Sequence, residues 1–148
     1  MEITFKIKRF NELTISELYQ MLQLRSEVFV VEQNCVYQDI DDKDEKALHV
    51  VGEIKGQIVA YSRLFKPNDY FENASIGRVV VAEKFRANKL GYDLVNEAIA
   101  GIQIHFGTQK ITISAQLYLK KFYESLGFLQ VSETYLEDGI EHIEMLRI

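Results

Sequence analysis

A chain of 148 residues with 47% hydrophobic content is long enough to bury a sizeable core, and one domain spanning residues 1–148 is the expectation. A net charge of −5, with no run of Lys and Arg, excludes the electrostatics of a nucleic-acid binder. No stretch approaches the ~18 apolar residues of a membrane span or has the apolar centre of a signal peptide. Cys35 is the sole cysteine and has no intrachain partner, so a soluble protein of the reducing cytoplasm is expected.

Ile3, Phe5 and Ile7 alternate with Thr4, Lys6 and Lys8, which predicts a half-buried first strand. Thr14 and Glu17 then have the spacing of a capping box. Leu18, Met21, Leu22, Val28 and Phe29 carry a helix from there to about Val31. Residues 32–46 are polar and acid-rich and read as a loop. Ala47–Ile54 and Gln57–Phe65 are two strand-like runs joined by Lys55-Gly56 as a hairpin, ended by Pro67 and Asn68.

Ile76–Val81 begins the next strand. Leu90, Leu94, Ala98, Ile102 and Phe106 then recur every four residues, widened by Val95 and Ile99, which predicts a long amphipathic helix stopped at Gly107. Ile111, Ile113 and Ala115 alternate as a strand, and Leu119, Phe122, Tyr123 and Leu126 mark a short helix closed by Gly127. Leu129–Leu136 and Glu141–Ile148 flank Asp138-Gly139, the strongest hairpin signal in the chain. The order β α β β β α β α β β makes a mixed α/β fold. The strands from Ile76 and from Lys110 bracket a helix, so they lie parallel with a right-handed crossover. Ligands of such sheets sit beyond the strands' carboxyl ends, where the Arg86–Gly91 and Gln116–Tyr118 turns meet.

The run IGRVVVAEKFRANKLGYDLV, Ile76 to Val95, passes from a β-branched strand through a basic turn into a helix. A helix start offers N–H groups without intrahelical partners and a positive dipole end, which suits a phosphate or pyrophosphate. Gly91 adds bare backbone where such a guest would approach.

VVVAEKFRANKLG at Val79–Gly91, FYESLGF at Phe122–Phe128 and the element order resemble the GNAT superfamily of acetyl-CoA-dependent acyltransferases. VFVVEQNCVYQDID at Val28–Asp41, ISAQLYLKKFY at Ile113–Tyr123 and YLEDGIEHIEM at Tyr135–Met145 resemble its ElaA-like branch. The resemblance implies a mixed, mainly antiparallel sheet whose central parallel strands splay to admit acetyl-CoA, with flanking helices. It implies direct transfer of an acetyl group to a primary amine of a small molecule or peptide, the alternative being a non-catalytic acyl-CoA sensor or interaction module.

Under that resemblance the backbone of Val79, Val80 and Val81 pairs with the pantetheine amides. N–H groups of Arg86, Ala87, Asn88, Lys89, Leu90 and Gly91 hold the pyrophosphate, with Lys89 standing where the family usually has glycine. Gln116 occupies a position commonly held by Asn, and Tyr123 is the candidate proton or hydrogen-bond donor to the leaving sulfur. The acceptor amine must lose a proton, and Glu32, His49 and His142 are the candidate bases. Asp39, Asp41, Arg78 and His142 are candidates for the acceptor side. Arg63 and Arg78 are candidates to pair a carboxylate, either on the protein or on the substrate. No metal-ligand spacing occurs, the acceptor is unidentified, and the open edges of the terminal hairpin offer a route to a homodimer.

Overall fold

The alternation of the N-terminus folds as β1 (Thr4–Arg9), and the capping box opens α1 (Ile15–Arg25). The Thr14 hydroxyl accepts from Glu17 N–H at 3.0 Å and the Glu17 carboxylate accepts from Thr14 N–H at 2.8 Å. The structure, a computed structural model, describes residues 2–148. The first helix changes pitch at Ser26 and continues to Glu32 as a wider π-helical segment rather than as α-helix. Wider turns of this kind cluster at functional sites.

β2 (Leu48–Ile54) and β3 (Gln57–Phe65) meet through Lys55 and Gly56, both at positive φ (52° and 78°), the twist that a two-residue hairpin requires. β4 (Ala74–Val81), α2 (Leu90–Phe106), β5 (Ile111–Gln116) and the short α3 (Lys120–Glu124) follow. The chain ends in β6 (Leu129–Gln130), β7 (Tyr135–Glu137) and β8 (Ile140–Arg147). The sheet order is β1-β2-β3-β4-β5-β8-β6, with β7 also on β8, and β4–β5 is the one parallel pair among the described residues. Met21, Leu24 and Val28 cover one face of the sheet, against Val51, Ile58, Tyr61 and Val80. Leu90, Leu94, Val95, Ala98 and Ile102 of α2 cover the other.

The expected strand Leu129–Leu136 is broken. Ser132 turns its hydroxyl to accept from Glu144 N–H at 2.9 Å, replacing a ladder carbonyl, while Val131 N–H donates to Glu144 O at 2.9 Å. The edge that offers a route to a homodimer is therefore two pieces of two and three residues.

The acid-rich loop is fastened by a buried charge network. Arg25 is wholly buried and pairs Asp39 at 2.9 Å and Asp44 at 2.8 Å. Arg63, 1% exposed, pairs Asp44 at 2.9 Å and Asp41 at 2.6 Å, and Arg78 pairs Asp39 at 2.8 Å. His49 lies fully buried beside it, one ring nitrogen 2.9 Å from the Asp44 carbonyl and the other 2.6 Å from the Tyr61 hydroxyl. A carbonyl only accepts, so Nε2 carries the hydrogen and Nδ1 receives the Tyr61 proton. Burial pushes the His49 pKa down, keeping the ring neutral.

Burial alone would raise the carboxyls of Asp41 and Asp44. The Arg63 hydrogen bonds at Asp41, and those of Arg25 and Arg63 at Asp44, win and hold both below the usual carboxylate range. A depressed folded-state pKa contributes stability fully above the unfolded value of ~4 and loses it as pH falls toward the folded value. Acid titration followed by circular dichroism should therefore show unfolding setting in below about pH 4. Asp44→Asn should be less stable at pH 7 and flatter in its acid dependence; an unchanged acid profile in that variant would contradict the assignment.

Candidate active site

β4 and β5 pair only at Ala74–Ile111 and Ser75–Thr112, and then part. The cause lies in β4. Tyr61 faces Val80 but Arg63 faces Gly77, so two residues of β4 oppose one of β3, and Arg78 sits in the left-handed region at φ 50°. A bulge of this kind bends its strand away from its neighbour. Arg78 is held there by Asp39, by Asp41 at 3.4 Å and by the Tyr37 ring, 5.6 Å from the guanidinium.

The gap is the floor of a cavity of about 400 Å³ lined by Ile76–Val81, Ile113–Gln116, the π-helical segment and the terminal hairpin. Ala82 N–H donates to Val59 O at 2.8 Å, so by strand alternation the main chain of Val80 also faces β3, while that of Val79 and Val81 faces the gap. Arg86 Nε donates to Val81 O at 3.0 Å. Val79 N–H, Val79 C=O and Val81 N–H are left on an open strand edge inside the cavity. Val80 departs from its expected role: its backbone pairs with Tyr61 and its side chain packs under α1.

Beyond Val81 a tight 3-10 turn, Glu83–Asn88, leads to Lys89 at φ 58° and ψ 22°, and α2 starts at Leu90. Lys89 thus occupies the backbone conformation that glycine adopts without penalty, at a cost of about 1–2 kcal/mol for a residue with a Cβ. Its side chain is exposed and obstructs nothing. Lys89→Gly should raise the melting temperature by about 2–4 °C, as ~1 kcal/mol does in a chain of this size; a lower melting temperature would show that the lysine makes a compensating contact. Ala87 and Asn88 are exposed, while the Leu90 side chain is buried in the core, so Leu90 offers a guest its backbone only. A Cβ on Gly91 would rest on the Phe122 ring at 3.5 Å, an ordinary contact, so the fold itself does not require glycine there.

The Arg86 guanidinium grips Glu32 through two nitrogens at 2.5 Å and 2.9 Å. With both oxygens engaged by cationic donors, Glu32 is a clamp between the turn and the π-helical segment and is not free to serve as the expected base. Tyr123 is 6% exposed and held edge-on by Phe122 and Phe128, with ring centroids 5.0 Å and 5.7 Å away. It lines the cavity, and burial, with Tyr118 adding, pushes its pKa up. The phenol therefore stays protonated and able to donate. Gln116 and Gln33 exchange amide contacts at 3.2 Å and 3.5 Å, tying the end of β5 to the end of the π-helical segment.

A sequence model of the acetyltransferase (GNAT) domain matches residues 13–147. The chain belongs to the GNAT acetyltransferase family. Protein ElaA of Escherichia coli K12 is 45% identical over 139 residues, covering 93% of this chain and 91% of that protein. The crystal structure of E. coli ElaA aligns with a TM-score of 0.92 at 42% identity, over 99% of this chain and 100% of that one. A crystal structure of an acyl-CoA N-acyltransferase from Pseudomonas aeruginosa aligns with a TM-score of 0.94 at 39% identity, over 99% and 100% of the two chains. The mixed, mainly antiparallel sheet with a parted parallel pair that the resemblance implied is thus present in this GNAT chain.

Around the GNAT cavity the structure gathers Glu32, Arg78, Val79, Val81, Arg86, Gly91, Gln116, Tyr123 and His142. Ala87, Asn88, Lys89 and Leu90 of the turn lie outside its lining, and so do three residues expected to act on the substrate. His49 is locked between Tyr61 and Asp44 on the far side of β3, so it is no base for a substrate. Asp39 and Asp41 are spent on Arg25, Arg63 and Arg78, so they do not bind the acceptor. The sequence reading missed Ser114 and Glu137, which line the cleft, and Tyr135, which stacks on His142: Ser114, Glu137 and Tyr135 all sit at its acceptor end. The two-residue Asp138-Gly139 turn fixes Tyr135 opposite His142 and Glu137 opposite Ile140, which puts all four on one face and would have pointed to the last two.

Proposed function

We propose that this GNAT protein moves an acetyl group from acetyl-CoA to a primary amine of a small molecule or peptide, both bound together in the β4–β5 gap. The observation that carries the reading is the open edge of β4. Val79 N–H, Val79 C=O and Val81 N–H match what an extended arm bearing two amides needs in order to lie down as an added strand. The pyrophosphate would rest on first-turn N–H groups of α2, with Arg86 beside it. No helix among the described residues is long and apolar enough to cross a membrane, and Cys35, a free thiol, suits a reducing compartment such as the cytoplasm.

In the reaction the amine nitrogen attacks the thioester carbonyl carbon, the N–C bond forms and the C–S bond breaks. Alignment of two bound reactants supplies up to ~7–11 kcal/mol of the barrier reduction. Val79 N–H is a donor for the carbonyl oxygen as negative charge develops on it. Tyr123 serves the sulfur. A phenol near 10 and a thiol near 8.5 already differ by about 2 kcal/mol in the wrong direction, and burial widens the difference. Tyr123 therefore donates a hydrogen bond to the departing thiolate, whose proton comes finally from solvent.

The test is thiol release from acetyl-CoA with benzylamine, amino-acid amides and short peptides. Amine-dependent release is expected. Binding of acetyl-CoA without release in any of these mixtures would overturn the assignment in favour of a sensor.

A further inference from the structure

We infer that His142 takes the proton from the acceptor ammonium and that Glu137 holds it in position to do so, an inference that rests on the acyl-transfer reading above. Its ring nitrogen Nδ1 lies 2.7 Å from the Ile140 carbonyl. Because a carbonyl cannot donate, Nδ1 bears the hydrogen, and the lone pair of the neutral ring is on Nε2. Glu137 Oε2 lies 3.4 Å from that Nε2. Glu137 thus faces the nitrogen that takes the proton and offers an acceptor to the N–H formed there, which fixes the ring's orientation.

The surroundings hold the pair in place. Tyr135 stacks on the His142 ring, with centroids 6.1 Å apart and planes 24° apart. Its hydroxyl lies 2.5 Å from Ser114 Oγ, and Ser114 in turn donates to Glu137 Oε1 at 3.4 Å. His142 is 6% exposed and lines the cavity together with Val79 and Tyr123. The groups around the ring are Glu137 and Tyr135 from β7, Gln116 from β5, and Glu144 on β8 itself. Asp138 adds a carboxylate to the same cavity, while Arg78 and Arg86 are neutralised by their own partners. The acceptor end of the cleft is therefore net anionic, which draws a cationic amine. With Glu32 and His49 otherwise engaged, His142 is the remaining base candidate.

The proton accounting closes. An ammonium acceptor gives one proton to Nε2 before attack, the tetrahedral adduct loses a second to water as the amide forms, and the thiolate takes one back from solvent beside Tyr123.

Two primary amines separate this role from a structural one. Benzylamine is protonated at neutral pH, whereas aminoacetonitrile is already free base. His142→Gln should lower kcat/KM for benzylamine by about 100-fold or more at pH 7, restored in part at higher pH, while aminoacetonitrile loses only a few-fold. Acetyl-CoA affinity by calorimetry should be unchanged. Glu137→Gln, on the exposed outer strand, should show the same split with a smaller factor, and it decides the matter should His142→Gln not fold. Equal losses on both amines, or no loss, would overturn the assignment. A wild-type protein that binds acetyl-CoA yet acetylates neither amine would overturn the acyl-transfer reading itself, and the pair with it.

Discussion

Arg25→Met should cost the protein about 3–5 kcal/mol, because it takes from two buried carboxylates a cation that each of them pairs with directly. Arg25 is wholly buried at the end of α1, reaching Asp39 Oδ2, the Asp39 carbonyl and Asp44 Oδ1 at 2.8–3.0 Å. The loss is not the net worth of the network, since replacing a whole buried cluster by apolar side chains is often neutral. It is the penalty for removing one partner. Asp39 would keep Arg78 and Asp44 would keep Arg63, which sets the lower end of the range. Urea unfolding should show the change as a lower midpoint, and the melting temperature should drop by about 6–20 °C. Arg25→Lys should recover little, because one ammonium cannot span both carboxylates. A loss under 1 kcal/mol would mean that the network is not the clamp on residues 33–46.

Tyr123→Phe should lower the rate of acetyl transfer by roughly 10- to 150-fold, the equivalent of one hydrogen bond of about 1.5–3 kcal/mol to a charged partner. The loss should fall on kcat, because the bond forms as charge appears on sulfur and is weak to the intact thioester. Acetyl-CoA affinity and melting temperature should hold, since the ring keeps its edge-on contacts with Phe122 and Phe128. A change in affinity with kcat intact would recast Tyr123 as a wall of the cavity and no more.

Much of this was legible in the chain because local rules and tertiary structure agree. The capping box at Thr14, the hairpins at Lys55-Gly56 and Asp138-Gly139, and the stops at Gly107 and Gly127 are each decided by residues within a few positions of one another. The features that resist such reading are those set at long range. Nothing in GRVVV marks Arg78 as a left-handed bulge residue, because asparagine or glycine would be the local choice. The conformation is imposed by Asp39 and Asp41, nearly forty residues earlier. Arg25, Arg63 and His49 sit in otherwise apolar patterns. A sequence cannot say whether such groups face a substrate or one another, and here they face one another. The break in the outer strand of the last hairpin depends on Ser132 finding Glu144, which alternation does not encode. The open edge of β4, on which the proposed function turns, follows from the Arg78 bulge, and in the chain only the family resemblance points to it.

The most direct measurement is a crystal structure of the protein grown with acetyl-CoA. The pantetheine should lie between β4 and β5 with its amides on Val79 and Val81, its pyrophosphate on the turn from Arg86 to Gly91, and its sulfur within hydrogen-bond reach of the Tyr123 hydroxyl. Coenzyme bound anywhere else, with the gap between the parted strands filled only by water, would contradict the placement of the donor and the chemistry built on it.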